Sequence, residues 1–394
     1  MGRRKTGGQS AGGVYLDYAA TTPVAPEVAE TMAGCLTVDG IFGNPSSITH
    51  NFGHAALEAV ETARREVAAL IGAEAGEIIW TSGATESINL ALKGLMLSRQ
   101  ARGRHLVVSA LEHKAVLDTA HWLSEAGVEV TTVLPNADGR ITPDAVAAAL
   151  RPDTALVSLM LVNNETGTIT DIPAISRTVR KAGAMLHADA VQGATRLPLD
   201  VSRLGCDMLS LSGHKMYGPK GVGALYVRRG LLPALVPQAH GGGQERGVRP
   251  GTLPTHQIAG MGAAARLVRE RLDSDMRRTA ALDERLLTQL GRIDGATVNS
   301  GGTDRAPGIL NMSFDGVAAE SLLLALDGIA LATGSACTSE SVEPSHVLLG
   351  MGLSPAVALS SVRFSFGRYT TEAEIDLAAG RVAEAVSVLR SIAA

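Results

Sequence analysis

Between Ile78 and Val227 the chain alternates short runs of β-branched and aliphatic residues with amphipathic stretches, and few architectures accept that pattern. Residues 78–81, 105–109, 128–134, 155–162, 184–189, 208–210 and 223–227 read as seven strands. Most are apolar on both faces, as a sheet covered by helices requires. Between them, Thr142-Pro143 reads as an N-cap with proline in the first turn of a helix running to Leu150, and Lys181-Ala182-Gly183 as a helix end. A glycine-rich stretch, Gly241-Gly242-Gly243-Gln244-Glu245-Arg246-Gly247-Val248-Arg249-Pro250-Gly251-Thr252, then leads into a long helical segment over 255–290. Beyond it, 309–314 and 361–366 read as strands, and 319–326 and 372–392 as helices. The expected fold class is α/β, a large domain with a mainly parallel seven-stranded sheet plus a smaller α+β domain. A chain of 394 residues has room for both.

A formal net charge of −4 offers no broad attraction for nucleic acid or anionic membrane. No apolar run approaches the ~20 residues that span a bilayer. The basic, glycine-rich start lacks the apolar core of a secretory signal and reads as a disordered tail over 1–12. Three dispersed cysteines, Cys35, Cys206 and Cys337, form no C-x-x-C pair, which fits a reducing, cytoplasmic setting.

Several candidate residues fall just after the expected strands. Ser210-Leu211-Ser212-Gly213-His214-Lys215 puts a lysine where open α/β sheets hold ligands. In a partly desolvated pocket such an amine loses its proton readily and attacks an aldehyde; the plain alternative is a solvated loop lysine. Thr81-Ser82-Gly83-Ala84-Thr85-Glu86-Ser87 opens a helix with small residues that suit a phosphate or simply cap the helix. Asp189 ends an apolar strand and needs a positive partner if buried, for which a protonated pyridine nitrogen would serve. Asn163-Asn164 supplies an amide after one strand, and Glu112-His113-Lys114 an imidazole after another. Cys337 lies among small polar residues, Thr333-Gly334-Ser335-Ala336-Cys337-Thr338-Ser339, and is the reactive candidate. Cys35, in a helical pattern with Met32 and Leu36, and Cys206, before a strand, read as buried. Arg363, alternating with Ser361 and Ser365, offers a fork for a carboxylate or is an exposed strand arginine.

Together these runs, with Tyr15-Leu16-Asp17-Tyr18-Ala19-Ala20-Thr21-Thr22-Pro23, Phe42-Gly43-Asn44-Pro45-Ser46-Ser47 and Glu112-His113-Lys114-Ala115-Val116-Leu117, resemble the cysteine desulfurases of the fold-type I pyridoxal-phosphate enzymes over nearly the whole chain. The resemblance implies a pyridoxal 5'-phosphate-binding large domain over 25–265 and a small domain from 13–24 and 266–394 that carries the cysteine loop. It implies that Lys215 holds the cofactor as a Schiff base, Asp189 pairs with the ring nitrogen and His113 stacks on the ring. Asn164 and Gln192 would contact ring substituents; Ala84, Thr85, Ser212 and His214 would hold the phosphate. Thr252 would reach the phosphate in the other subunit of a homodimer, while Asn44, Asn164 and Arg363 would bind the substrate.

The implied reaction converts L-cysteine to L-alanine. Lys215 removes the Cα proton, His113 carries a proton for the substrate thiol, and Cys337 attacks the substrate sulfur and ends as a persulfide. Sulfur would pass to iron–sulfur cluster assembly through a scaffold protein and other acceptors, and to tRNA thiolation. No resident metal is implied, although Cys337 would contact a cluster transiently on the scaffold. The run Ser335-Ala336-Cys337-Thr338-Ser339 resembles the group with the longer catalytic loop, and the runs 112–117 and 251–257 lean to the housekeeping type. Such members carry a scaffold-docking tail, whereas this chain stops at Ile392-Ala393-Ala394, so docking by that route stays open. A nitrogenase-type paralogue or a selenocysteine lyase uses the same lysine and aspartate and stays open at this point.

Overall fold

The computed structural model describes residues 13–136, 138–299, 304–333 and 343–393; the expected tail and Cys337 lie outside the described residues. In chain order the strands are β1 Val14–Tyr15, β2 Ile78–Thr81, β3 His105–Ser109, β4 Glu129–Val133, β5 Thr154–Met160, β6 Met185–Asp189, β7 Met208–Ser212, β8 Gly223–Val227, β9 Ala296–Val298, β10 Ile309–Phe314, β11 Ile329–Ala330 and β12 Ser361–Ser365.

The alternating segment forms one seven-stranded sheet in the order β2-β8-β7-β6-β5-β3-β4. Pairing is parallel from β7 to β4, but β8 runs antiparallel to both β7 and β2. The reversal follows from chain length: the link from Ser212 to Gly223 is shorter than the roughly dozen residues that a parallel crossover needs. Two reversals return β2 to the direction of β7, so β2, β3, β5, β6 and β7 all end on one edge. Apart from β4, the strands of this sheet are buried at every residue but Met185 of β6, whereas edge strand β4 is partly exposed and shorter than the run 128–134. The expected strand over 155–162 ends at Met160, because Val162 turns back to bridge Ile169.

Helix Thr255–Leu290 matches its expected span. Its first half is buried nearly all round and uses small residues for close contact: a Cβ on Gly262 would sit 2.5 Å from Ala63 of helix Asn51–Leu70. Its second half keeps one buried stripe, Thr279, Leu282, Asp283, Leu286 and Leu290, at the spacing of one helix face. The loop before it is pinned by Glu245, whose carboxylate takes Arg64 at 2.7 and 2.8 Å and the Trp80 N–H at 2.9 Å.

A second sheet, β12-β10-β9, is antiparallel. The N-terminal segment joins it through a parallel β1–β11 pair and a parallel bridge from Asp17 to Ser365. It then crosses to the large sheet, where the Thr22 N–H donates to the His214 carbonyl at 2.9 Å. Cys206 and Cys35 are both buried, but Cys35 lies past helix Pro26–Ala33. The helix stops at Gly34, so Leu36 falls off the expected apolar face and is 56% exposed. Among the described residues no helix is long and apolar enough to cross a membrane, and no cluster of three His, Cys, Asp or Glu side chains is placed to hold a metal.

Candidate active site

The loops beyond the common edge of β2, β3, β5, β6 and β7 surround a cavity of about 640 Å³. The chain leaves β3 outward to β4 and crosses back to β5, and ligands of open α/β sheets bind at such a reversal. Ala19, Ala20, Thr21 and Arg363 close the opposite wall.

Lys215 ends the short turn Gly213–Lys215 after β7. Its Nζ donates to the carbonyls of Ala19 and Ala20, the latter at 2.7 Å. Burial pushes its pKa down to about 8; Arg363 acts the same way, and Asp17 and Asp189 oppose it. A fraction of the amine is then uncharged at neutral pH, the form that attacks a carbonyl carbon. Asp189 ends β6 and is 4% exposed. Burial pushes its carboxyl up to about 6 against the Val191 N–H at 3.0 Å and the charge of Lys215.

Across the cavity, helix Ala84–Met96 presents its first turn, with Ser82 and Gly83 just before it and Ser212 and His214 facing it. First-turn amides have no partner within their helix and attract an anion. His214 lies 3.1 Å from the Thr21 hydroxyl, and burial, reinforced by Lys215 and Lys220, pushes its pKa down to about 4. It is therefore a neutral hydrogen-bonding ring.

These groups fit pyridoxal phosphate. A buried carboxyl with no cation in contact among the described residues suits a ring N–H, a depressed lysine suits an aldehyde, and a helix start suits a phosphate.

Comparison with known proteins agrees. The chain matches the aminotransferase class-V family over residues 14–377. It is 52% identical over 379 residues to "Cysteine desulfurase IscS" of Azotobacter vinelandii, covering 96% of this chain and 94% of that one. The protein of the same name from Pseudomonas entomophila is 54% identical over the same shares. Among solved structures, a "NIFS-LIKE PROTEIN" superposes with a TM-score of 0.89 at 35% identity, covering 95% of this chain and all of the other. "SspA in complex with cysteine" does so at 0.81 and 39% identity, covering 91% of this chain and 100% of the other. The chain belongs to the cysteine desulfurases of the class-V aminotransferase family. It is a pyridoxal-phosphate-dependent enzyme, with the fold class expected from its sequence.

The cysteine desulfurase cavity also gathers His113, Asn164, Gln192, Ala84 and Thr85. His113 caps helix Lys114–Glu125, its Nδ1 accepting the Ala115 N–H at 3.0 Å, so the neutral ring carries its proton on Nε2. Burial lowers its pKa, and Lys215 and His346 add to the effect. Gln192 donates to the Ala19 carbonyl at 2.9 Å, and the Asn164 carbonyl accepts from Arg363 at 3.0 Å. Arg363 is not an exposed strand arginine: it is 1% exposed, because both faces of β12 are covered.

Two expected residues lie elsewhere among the described residues. Asn44 is exposed, and its Oδ1 accepts the Ser46 N–H at 2.9 Å. Thr252 is exposed and does not line the cavity. Sequence reasoning assigned no role to Asp17, Ala19, Ala20 or Glu112, although all stand in the runs that carried the resemblance. Glu112 is 1% exposed, takes the Ser109 hydroxyl at 2.6 Å and the Met160 N–H at 3.0 Å, and is pushed up to about 8 by burial.

Proposed function

We propose that the protein is a homodimeric, cytoplasmic enzyme that converts L-cysteine to L-alanine, takes the sulfur as a persulfide on Cys337, and passes it to iron–sulfur cluster assembly. The reading is carried by one juxtaposition: a depressed lysine, a buried aspartate without an ion-pair partner among the described residues, and a buried arginine in a single cavity. These are the groups needed to bind an amino acid at its nitrogen and at its carboxylate.

Bound pyridoxal phosphate supplies an electron sink that loosens the Cα–H and Cβ–S bonds. In this reading Ala84, Thr85, Ser212 and His214 hold its phosphate, and Thr252 reaches that of the other subunit. Asp189 keeps a proton on the ring nitrogen, His113 stacks, and Asn164 and Gln192 meet the ring substituents. Arg363 and Asn44 bind the carboxylate of the substrate. Lys215, as a free amine, would take the Cα proton, for which a pKa near 8 suits neutral pH. His113 accepts the proton of the substrate thiol. The Cys337 thiolate then attacks that sulfur: the S–S bond forms as Cβ–S breaks, the electron pair stays with the carbon skeleton, and protonation releases alanine. Residues 25–265 form the cofactor-binding domain, and 13–24 with 266–394 the domain bearing the cysteine.

Mass spectrometry after incubation with L-cysteine should find one added sulfur on the Cys337 peptide. Cys337→Ser should keep the cofactor colour and lose sulfide release in the presence of reductant. Release at the normal rate from that variant would sink the reading.

A further inference from the structure

Arg363 already has a carboxylate. Its Nη2 donates to Asp17 Oδ1 at 2.8 Å and its Nη1 to the Asn164 carbonyl at 3.0 Å, while Nε is buried without a partner among the described residues. The pairing is built into the backbone. The N-terminal segment lies parallel to β12, with the Ser365 N–H donating to the Leu16 carbonyl at 2.8 Å and the Tyr18 N–H to the Ser365 carbonyl at 3.0 Å. Asp17 bridges Ser365, and Arg363 is two residues before Ser365 on the same face, within diagonal reach. Two residues further on, the same segment supplies the carbonyls that hold Lys215.

The two partners are unequally buried. The Arg363 side chain is 2% exposed and that of Asp17 is 20% exposed. Arg363 therefore needs a counter-charge in the cavity, whereas Asp17 can recover water when it lets go. The contact uses a single oxygen, so it falls short of the two-pronged pairing that a guanidinium and a carboxylate can reach.

We propose that Asp17 sets the affinity of the site for amino-acid carboxylates, standing in for the substrate carboxylate on Arg363 in the free enzyme and yielding to it on binding. The proposal rests on reading Arg363 as the carboxylate anchor. Asp17 is thus a positioning residue, and its charge opposes ligand binding. Asn in its place keeps the shape and a hydrogen-bond acceptor but leaves Arg363 unneutralised, so an incoming carboxylate gains what Asp17 supplied before.

The test uses the holoenzyme with propionate and 3-mercaptopropionate, carboxylates without an amino group to react with the cofactor. Dissociation constants come from ligand protection against thermal unfolding and from competition with L-cysteine. Asp17→Asn should bind both roughly fivefold more tightly, the size of one weak ion pair. Its KM for L-cysteine should fall with no rise in kcat, and Asp17→Glu should restore weaker binding. If Asp17→Asn does not fold, Asp17→Ser carries the same expectation. Equal or weaker binding by a folded variant with the normal visible spectrum overturns the role of Asp17. Arg363→Ala separates the two readings: wild-type affinity in that variant overturns the anchor itself, and the proposal with it.

Discussion

Arg64 and Arg363 are both almost wholly buried, at 3% and 1% exposure, yet they are held in opposite ways. Arg64 is saturated. Its Nε meets Glu61 at 3.0 Å, its Nη1 meets the Ile78 carbonyl and Glu245, its Nη2 meets Glu245 again, and its guanidinium lies 5.5 Å from the Trp80 ring centroid. Glu245 is itself 2% exposed and fully engaged. Among the described residues Arg363 has one oxygen of a part-exposed aspartate, one main-chain carbonyl and an idle Nε, and it faces a cavity. A fully partnered buried ion pair fastens one part of the chain to another, here the loop 241–252 to edge strand β2. An unsaturated one beside an opening keeps capacity for a ligand.

The largest expected effect tests the first half of that contrast. Arg64→Ala should cost about 3–5 kcal/mol of stability, because it strands Glu245 in a buried position. Denaturant unfolding measures it, and a loss under about 1 kcal/mol would remove the distinction between the two arginines. Arg363→Ala should cost less, about 1–2 kcal/mol in the same experiment, since Asp17 can turn to water. A cost equal to that of Arg64→Ala would mean that Arg363 is structural after all.

The smallest effect is a pH signature confined to the cavity. Lys215 is depressed to about 8 from 10.5, so between those values the unfolded chain binds more protons than the folded one. Apoprotein stability should therefore gain a contribution as pH rises from about 8 to 10.5. Asp189, raised to about 6 from 3.8, has the opposite sign: the folded state binds more protons, and stability is lost as pH rises from about 4 to 6. The apoprotein Tm, compared between wild type and Lys215→Met, should show the alkaline gain in the wild type only. Arg64→Ala should leave it in place.

Much of the frame was legible because it depends on local pattern. The stripe in 255–290, the apolar strands and the N-cap at Thr142 are decided by neighbours a few residues apart. Lys215, Asp189 and His113 could be found because each ends or follows a strand, and strand ends of this class converge on one edge. The reversed β8 was less visible, since strand direction depends on the length of a link rather than on the strand itself. Cys35 was placed on a helix that stops before it, because the termination at Gly34 does not show in apolar spacing.

The chain by itself determined the α/β class, the long connecting helix and the chemistry-bearing side chains, through periodicity and through motifs that resemble one family. Only the tertiary structure decided what those side chains face. Asp17 meets Arg363 across 346 residues of chain, Gln192 meets Ala19 across 173, and Lys215 meets Ala20 across 195. Burial and proximity of this kind set the pKa of Lys215 and occupy the guanidinium of Arg363, and both arise when two sheets and an N-terminal strand are packed around one cavity.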